Sequence, residues 1–183
     1  MMKTAFDNKV RTMTHISLLI AMNCVSAYII IPLPFSLSPI SLQTLVVNLV
    51  AYVLPPRQAF ITMVAYICIG LIGIPVFTGG SAGPGKMFGP TGGYIWGYAV
   101  AVTLMAYLKG DHYSFRRFAL TGICIGLPII NILGCIQLKL ITAMPWETAL
   151  FSGVVPFIPL DIVKCLGAAM LARPLYSIFG GRP

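Results

Sequence analysis

The sequence predicts an all-α integral membrane protein of six transmembrane helices, with almost no soluble part. Three observations carry that expectation. Of 183 residues, 58% are hydrophobic, and the mean hydropathy is +0.92. Charged residues make up 9%, against about 25% in a soluble globular domain. The apolar residues fall in blocks near the roughly 20-residue length that crosses a bilayer. A water-soluble core of this size has no room for so much apolar surface.

Six spans are expected within one transmembrane domain over residues 1–183: 15–31, 40–54, 60–77, 91–108, 118–140 and 148–172. The second is short, so tilt or a loop cap must complete it. Residues 1–14 are polar and basic, and the apolar run after them shows no clean small-residue cleavage site. That pattern reads as a first transmembrane helix rather than a removable signal.

Basic residues set the expected orientation. With both termini cytoplasmic, the inner segments hold Lys3, Lys9, Arg11, Arg57, Lys109, Arg116, Arg117, Arg173 and Arg182. The outer loops hold Lys86 alone, while Lys139 and Lys164 lie within or near spans. This is a strong positive-inside bias, and it favours an even number of spans. The net charge of +8 is then topological. Nothing in it forms the basic, aromatic-studded face of a nucleic-acid binder.

The chain shows no linker, low-complexity tract or internal repeat. Leu54-Pro55-Pro56-Arg57 reads as a tight inner turn, since two prolines cannot continue a helix. Two outer segments stand apart. Residues 32–39 read PLPFSLSP, a stiff proline-rich loop. Residues 75–94 read PVFTGGSAGPGKMFGPTGGY, dominated by glycine and proline. Glycine permits close approach of backbone to a ligand. Both segments sit where a lid over an outward-facing cavity would be.

Asp161 and Lys164 are the sharpest chemical signal. They lie in PFIPLDIVK, residues 156–164, inside the last apolar block. An ionisable group there costs roughly 2.5–3.5 kcal/mol on insertion scales. Three residues apart, the two side chains share a helix face. Pro159 suits the first turn of a helical segment and places Asp161 near its N-terminus. Either the pair merely neutralises itself, or it serves a small ligand bearing both donors and acceptors. Asn131 shares a helix face with Gly134, Cys135 and Leu138, whereas Gln137 points elsewhere. Asn131 is thus either a cavity residue or a helix–helix hydrogen bond. Lys139, near the outer end, can snorkel to the interface. Ser17, Ala21 and Cys24 form a small-residue stripe on the first helix, suited to internal packing or to a partner. The five cysteines lack CxxC spacing and read as packing residues.

Several chemistries are disfavoured. Gly80–Lys86 resembles the start of a phosphate-binding loop, but Met87 stands where a magnesium-binding Ser or Thr belongs. Asp161 is the only acid inside a span, which argues against an aspartyl protease pair. His15 and His112 lie far from the outer lid, so no nucleophile has a base beside it. No cluster shows metal-ligand spacing. An enzyme is not expected.

The runs Gly73–Phe77, Gly79-Gly80, Phe88-Gly-Pro-Thr-Gly-Gly-Tyr94 and Pro156–Lys164 together resemble the BioY family, over nearly the whole chain. GPTGGY followed by D-x-x-K is a fairly specific pair of motifs. The resemblance implies the six-helix S-component bundle of energy-coupling factor (ECF) transporters, in a prokaryotic cell membrane. It implies biotin as ligand, held under the two outer loops. It further implies a transmembrane T component and two cytoplasmic ATPases as partners. ATP would be used by those partners, and no cofactor is expected in this chain. On that footing Asp161 and Lys164 contact the ureido group or the carboxylate, and Gln43, Thr44, Thr91, Tyr94 and Asn131 complete the polar contacts. Phe35, Phe77, Phe88 and Trp96 line the apolar part, and Ser17, Ala21 and Cys24 face the T component. The competing expectation is a self-sufficient channel or secondary carrier. Such a protein needs a polar path or an ion relay, and the inner halves of the helices show no acid.

Overall fold

A computed structural model of the chain describes residues 2–34, 36 and 38–178, with side chains from Lys9 onward except at residue 177. Its helices are α1 (Met2–Ser26), α2 (Gln43–Val53), α3 (Pro56–Leu71), the short α4 (Gly83–Met87), α5 (Gly92–Leu108), α6 (Phe115–Thr121), α7 (Leu127–Thr142), α8 (Trp146–Gly153) and α9 (Ile158–Ile178). Two-residue strands β1 (Ile30–Ile31) and β2 (Ile40–Ser41) pair antiparallel.

The bundle is organised around α5. It packs most extensively on α7 and also lies against α3 and α2, while α9 closes over α2. Glycine sets the α5–α7 distance. A Cβ on Gly93 would sit 2.2 Å from the Leu133 carbonyl oxygen, and one on Gly97 would sit 2.9 Å from the Ile130 Cα. Two glycines one turn apart let the backbones meet, as small residues do where helices pack in lipid.

Helix ends follow the sequence chemistry in places and depart from it in others. Pro55 and Pro56 separate α2 from α3, and Pro56 opens α3 at a position where its missing N–H costs nothing. The first expected span ran to residue 31, yet α1 ends at Ser26 and Ile30–Ile31 pair with Ile40–Ser41 instead. β-Branched isoleucines favour that extended pairing. The third expected span ran to residue 77, yet α3 ends at Leu71. Beyond it Gly73 takes φ 103°, a conformation that ends a helix. The last expected block is two helices, α8 and α9, bent by 43° across residues 154–157. Pro156 and Pro159 lack the N–H groups that a continuous helix would use.

Among the described residues, Phe115–Thr142 is one continuous helix of 28 residues, apolar enough to cross a bilayer. It includes a five-residue π turn at Gly122–Gly126. The bent α8–α9 pair passes the same test together, while α2, α3 and α5 are shorter apolar helices.

One charge is buried at the bundle end opposite the glycine-rich segment. Lys109, just past α5, donates to the carbonyls of Tyr52 at 2.7 Å and Leu54 at 2.6 Å, closing the C-terminus of α2. Its ammonium also lies 5.6 Å from the Tyr176 ring centre. Burial pushes the ammonium down to about 7, against a smaller upward pull from Asp111. The unfolded chain keeps this proton up to about pH 10.4. Between these values the unfolded state holds more proton, so stability rises with pH. Melting curves check this. The gain in Tm from pH 7 to about pH 9 should be larger for wild type than for Lys109→Met; equal gains would contradict it.

Candidate functional site

The site is built where the α8–α9 break meets α2, α5 and α7. Because α9 starts at Ile158, Asp161 falls in its first turn, where the positive end of the helix dipole favours a carboxylate. Asp161 is 6% exposed. Its Oδ1 accepts from Lys164 Nζ at 2.8 Å and from the Thr44 hydroxyl at 3.0 Å. Oδ2 has no partner among the described residues and remains able to accept another N–H.

Asp161 and Lys164 stand at the wall of a narrow cavity. α2 contributes Thr44, the start of α5 contributes Thr91, Tyr94, Ile95 and Tyr98, and α7 contributes Ile130 and Asn131. Phe157, at the helix break, faces the same space. The mix of one ion pair, hydroxyls, an amide and aromatic rings is that of a small-molecule site, apolar in area with a few fixed polar groups.

Two loops roof the cavity. The first crosses between β1 and β2 and brings Ser38, Pro39 and Ser41 to it. The second joins α3 to α5 and brings Thr78 and Lys86. The second loop is tied to the turn between α1 and β1, since Gly79 N–H donates to the Ala27 carbonyl at 2.9 Å and the Tyr28 hydroxyl donates to the Pro75 carbonyl. Gln137 fixes the far end of the second loop, donating to the carbonyls of Met87 at 2.9 Å and Gly89 at 2.8 Å. Gly92 is required beside it, because a Cβ there would lie 1.7 Å from the Met87 carbonyl oxygen. The second loop is thus a fixed roof, and both loops present polar side chains to the cavity.

Of the expected ligand residues, Asp161, Lys164, Asn131, Tyr94, Thr91 and Thr44 come together around the cavity. Tyr94 also donates to the Gly153 carbonyl at 2.6 Å, bracing the helix break. Four others are placed elsewhere. Gln43 is fully buried one layer behind, donating to the Tyr66 hydroxyl at 2.6 Å and accepting from Thr78. It positions the roof residue Thr78 rather than lining the cavity. Phe77 is fully buried against Tyr66 and over Gly70. Phe88 and Trp96 are 64% and 41% exposed and pack on each other, ring centres 6.4 Å apart, on the outside of the bundle. Their rings point away because Phe88 follows the end of α4 and Trp96 lies two residues, about 200°, from Tyr94 on α5. Phe35 lies outside the described residues. Ser17 and Ala21 are exposed on α1 and Cys24 is half-buried, so the small-residue stripe faces largely outward.

Tyr98, Ser38, Ser41, Thr78 and Lys86 were not singled out from the sequence as ligand residues. Tyr98 had a signal, since it lies one turn after Tyr94 on the same face. The roof residues had none, because loops carry no periodicity.

Comparison with known proteins agrees with this architecture. The sequence model of the BioY family matches residues 1–181. "Biotin transporter BioY2" of Lactococcus lactis subsp. cremoris is 36% identical over 165 residues, covering 88% of this chain and 86% of the relative. "Biotin transporter BioY" of Thermotoga maritima is 33% identical over 158 residues, covering 86% and 91%. A crystal structure of the S-component for biotin from an ECF-type ABC transporter superposes with a TM-score of 0.84 at 27% identity, covering 93% of both chains. The fold is that of an ECF S component, and the chain belongs to the BioY family.

Proposed function

We propose that this chain is the high-affinity biotin-binding subunit of a vitamin uptake transporter. The observation that carries the reading is the roofed cavity with Asp161 Oδ2 left open beside Asn131 and Lys164. Biotin offers a cyclic urea with two N–H donors and one carbonyl, an apolar bicycle and chain, and a terminal carboxylate. Asp161 Oδ2 accepts a ureido N–H, and Lys164 or Asn131 donates to the ureido oxygen. Tyr94, Tyr98 and Phe157 cover the rings. The names of the relatives point the same way.

The remaining arrangement follows from the charge distribution. Six passes through the cell membrane put both termini and the Lys109 end in the cytoplasm and the roofed cavity outside. The second pass, around the short α2, is completed by its flanking loop. A binding subunit has no energy source of its own. A T component and two ATPases supply it, and Ser17, Ala21 and Cys24 meet the T component.

Uptake of labelled biotin into proteoliposomes tests the proposal. Accumulation should require ATP and the ECF partners. Concentrative uptake by this chain alone would instead favour a secondary carrier.

A further inference from the structure

Three charged side chains line the cavity among the described residues: Asp161, Lys164 and Lys86. Asp161 and Lys164 neutralise each other at 2.8 Å. Lys86 makes no ion pair or hydrogen bond among the described residues. The cavity therefore carries one uncompensated positive charge, held on the roof rather than on the floor.

We propose that Lys86 is the carboxylate receptor of the site: its ammonium pairs with the terminal carboxylate of the bound vitamin and so selects a monoanion. The proposal rests on the biotin reading and assigns the end of the ligand that reading leaves open.

The geometry supports Lys86 over Lys164 for this task. Lys164 already has a carboxylate, and adding a second anion there would crowd two negative charges. Lys86 has none, and it sits on α4, between Ala82, where the loop enters the helix, and the Met87 and Gly89 carbonyls that Gln137 holds. The segment is anchored beside the cavity, which holds the cation at its wall. Half-burial without a partner disfavours its charge, and burial pushes this ammonium below the ordinary lysine value. A bound carboxylate opposes that shift, because an adjacent opposite charge favours the ammonium form. The two polar ends of the ligand are thus read by different parts of the fold: the ureido group by α9 and α7, the carboxylate by the roof.

Calorimetric titration of the detergent-purified full chain tests this with two ligands, biotin and its neutral primary amide. Wild type should prefer biotin by about 10- to 100-fold, the span of one charge-assisted hydrogen bond. Lys86→Gln should lose most of its biotin affinity, keep its amide affinity, and so bind the two within about threefold of each other. Lys86→Arg should retain the preference. Equal binding of both ligands by wild type, or an undiminished preference in Lys86→Gln, would overturn the assignment while leaving biotin as the ligand. Absence of saturable biotin binding to wild type would overturn the assignment together with the function it rests on.

Discussion

A chain carrying both Asp161→Leu and Lys164→Met is expected to melt close to wild type and to bind no biotin. The two halves of that result have separate causes. The ion pair is nearly buried, with side chains 8% and 11% exposed. Replacing a buried pair with apolar groups of similar volume is commonly neutral or stabilising, because two desolvation costs disappear with it. A pair kept only for packing would therefore be dispensable, and so would its effect on ligand. Removing Lys164 alone is different. It strands Asp161 with Thr44 as its one remaining side-chain donor among the described residues, and an uncompensated buried charge costs about 3–5 kcal/mol. Lys164→Met should thus lower Tm while the double variant recovers it. Loss of biotin binding in the recovered double variant assigns the pair to the ligand. Retained binding there would show that the pair serves the fold alone.

The second large effect is expected at Gly93. An alanine Cβ there meets the Leu133 carbonyl oxygen at 2.2 Å and Gln137 Cβ at 2.8 Å. Neither is the free end of a flexible side chain, so α5 and α7 must move apart. Overpacking of this kind costs about 1–3 kcal/mol, sometimes more. The displacement also spreads the site, because Tyr94 and Thr91 flank Gly93 while Asn131 and Gln137 lie on α7. Gly93→Ala should weaken biotin binding by at least about tenfold, or roughly 1.4 kcal/mol. Gly85 is the control within the same glycine-rich stretch. It has open space around it and no positive φ, so Gly85→Ala should stay within about 0.5 kcal/mol of wild type. Melting curves and binding isotherms on the two variants check the contrast. Equal behaviour would mean that α5–α7 contact does not set the site.

Much of this site was legible in the sequence because a bilayer makes polar residues conspicuous. Asp161, Lys164, Asn131 and Thr44 stand out in apolar blocks, and each lines the cavity. Pro159 correctly marked the start of α9, and with it the place of Asp161 in the first turn. Hydropathy alone could not show that Ile30–Ile31 leave α1 to pair as a strand, since isoleucine is apolar in either conformation. Nor could it show the break before α9, where an apolar run hides a 43° bend between two helices. The aromatic assignments went astray for a geometric reason. Phe88 and Trp96 were expected to line the apolar part of the site, whereas the helical phase of α5 turns Tyr94 and Tyr98 to the cavity and leaves those two rings outside. Gln43 is one residue from Thr44 and faces Tyr66 instead of the cavity for the same reason. Lys86 stood out in the sequence only as the lone cation of the outer loops, and the fold shows that it lines a cavity whose other two charges already neutralise each other.

A crystal structure of this chain grown with biotin tests the central claim most directly. The account predicts the ureido ring between α9 and α7, with one N–H on Asp161 Oδ2 and the bicycle against Tyr94 and Phe157. Biotin found instead in the apolar groove lined by Leu127, Ile132, Leu150 and Ile158, with the roofed cavity unaltered, would contradict it.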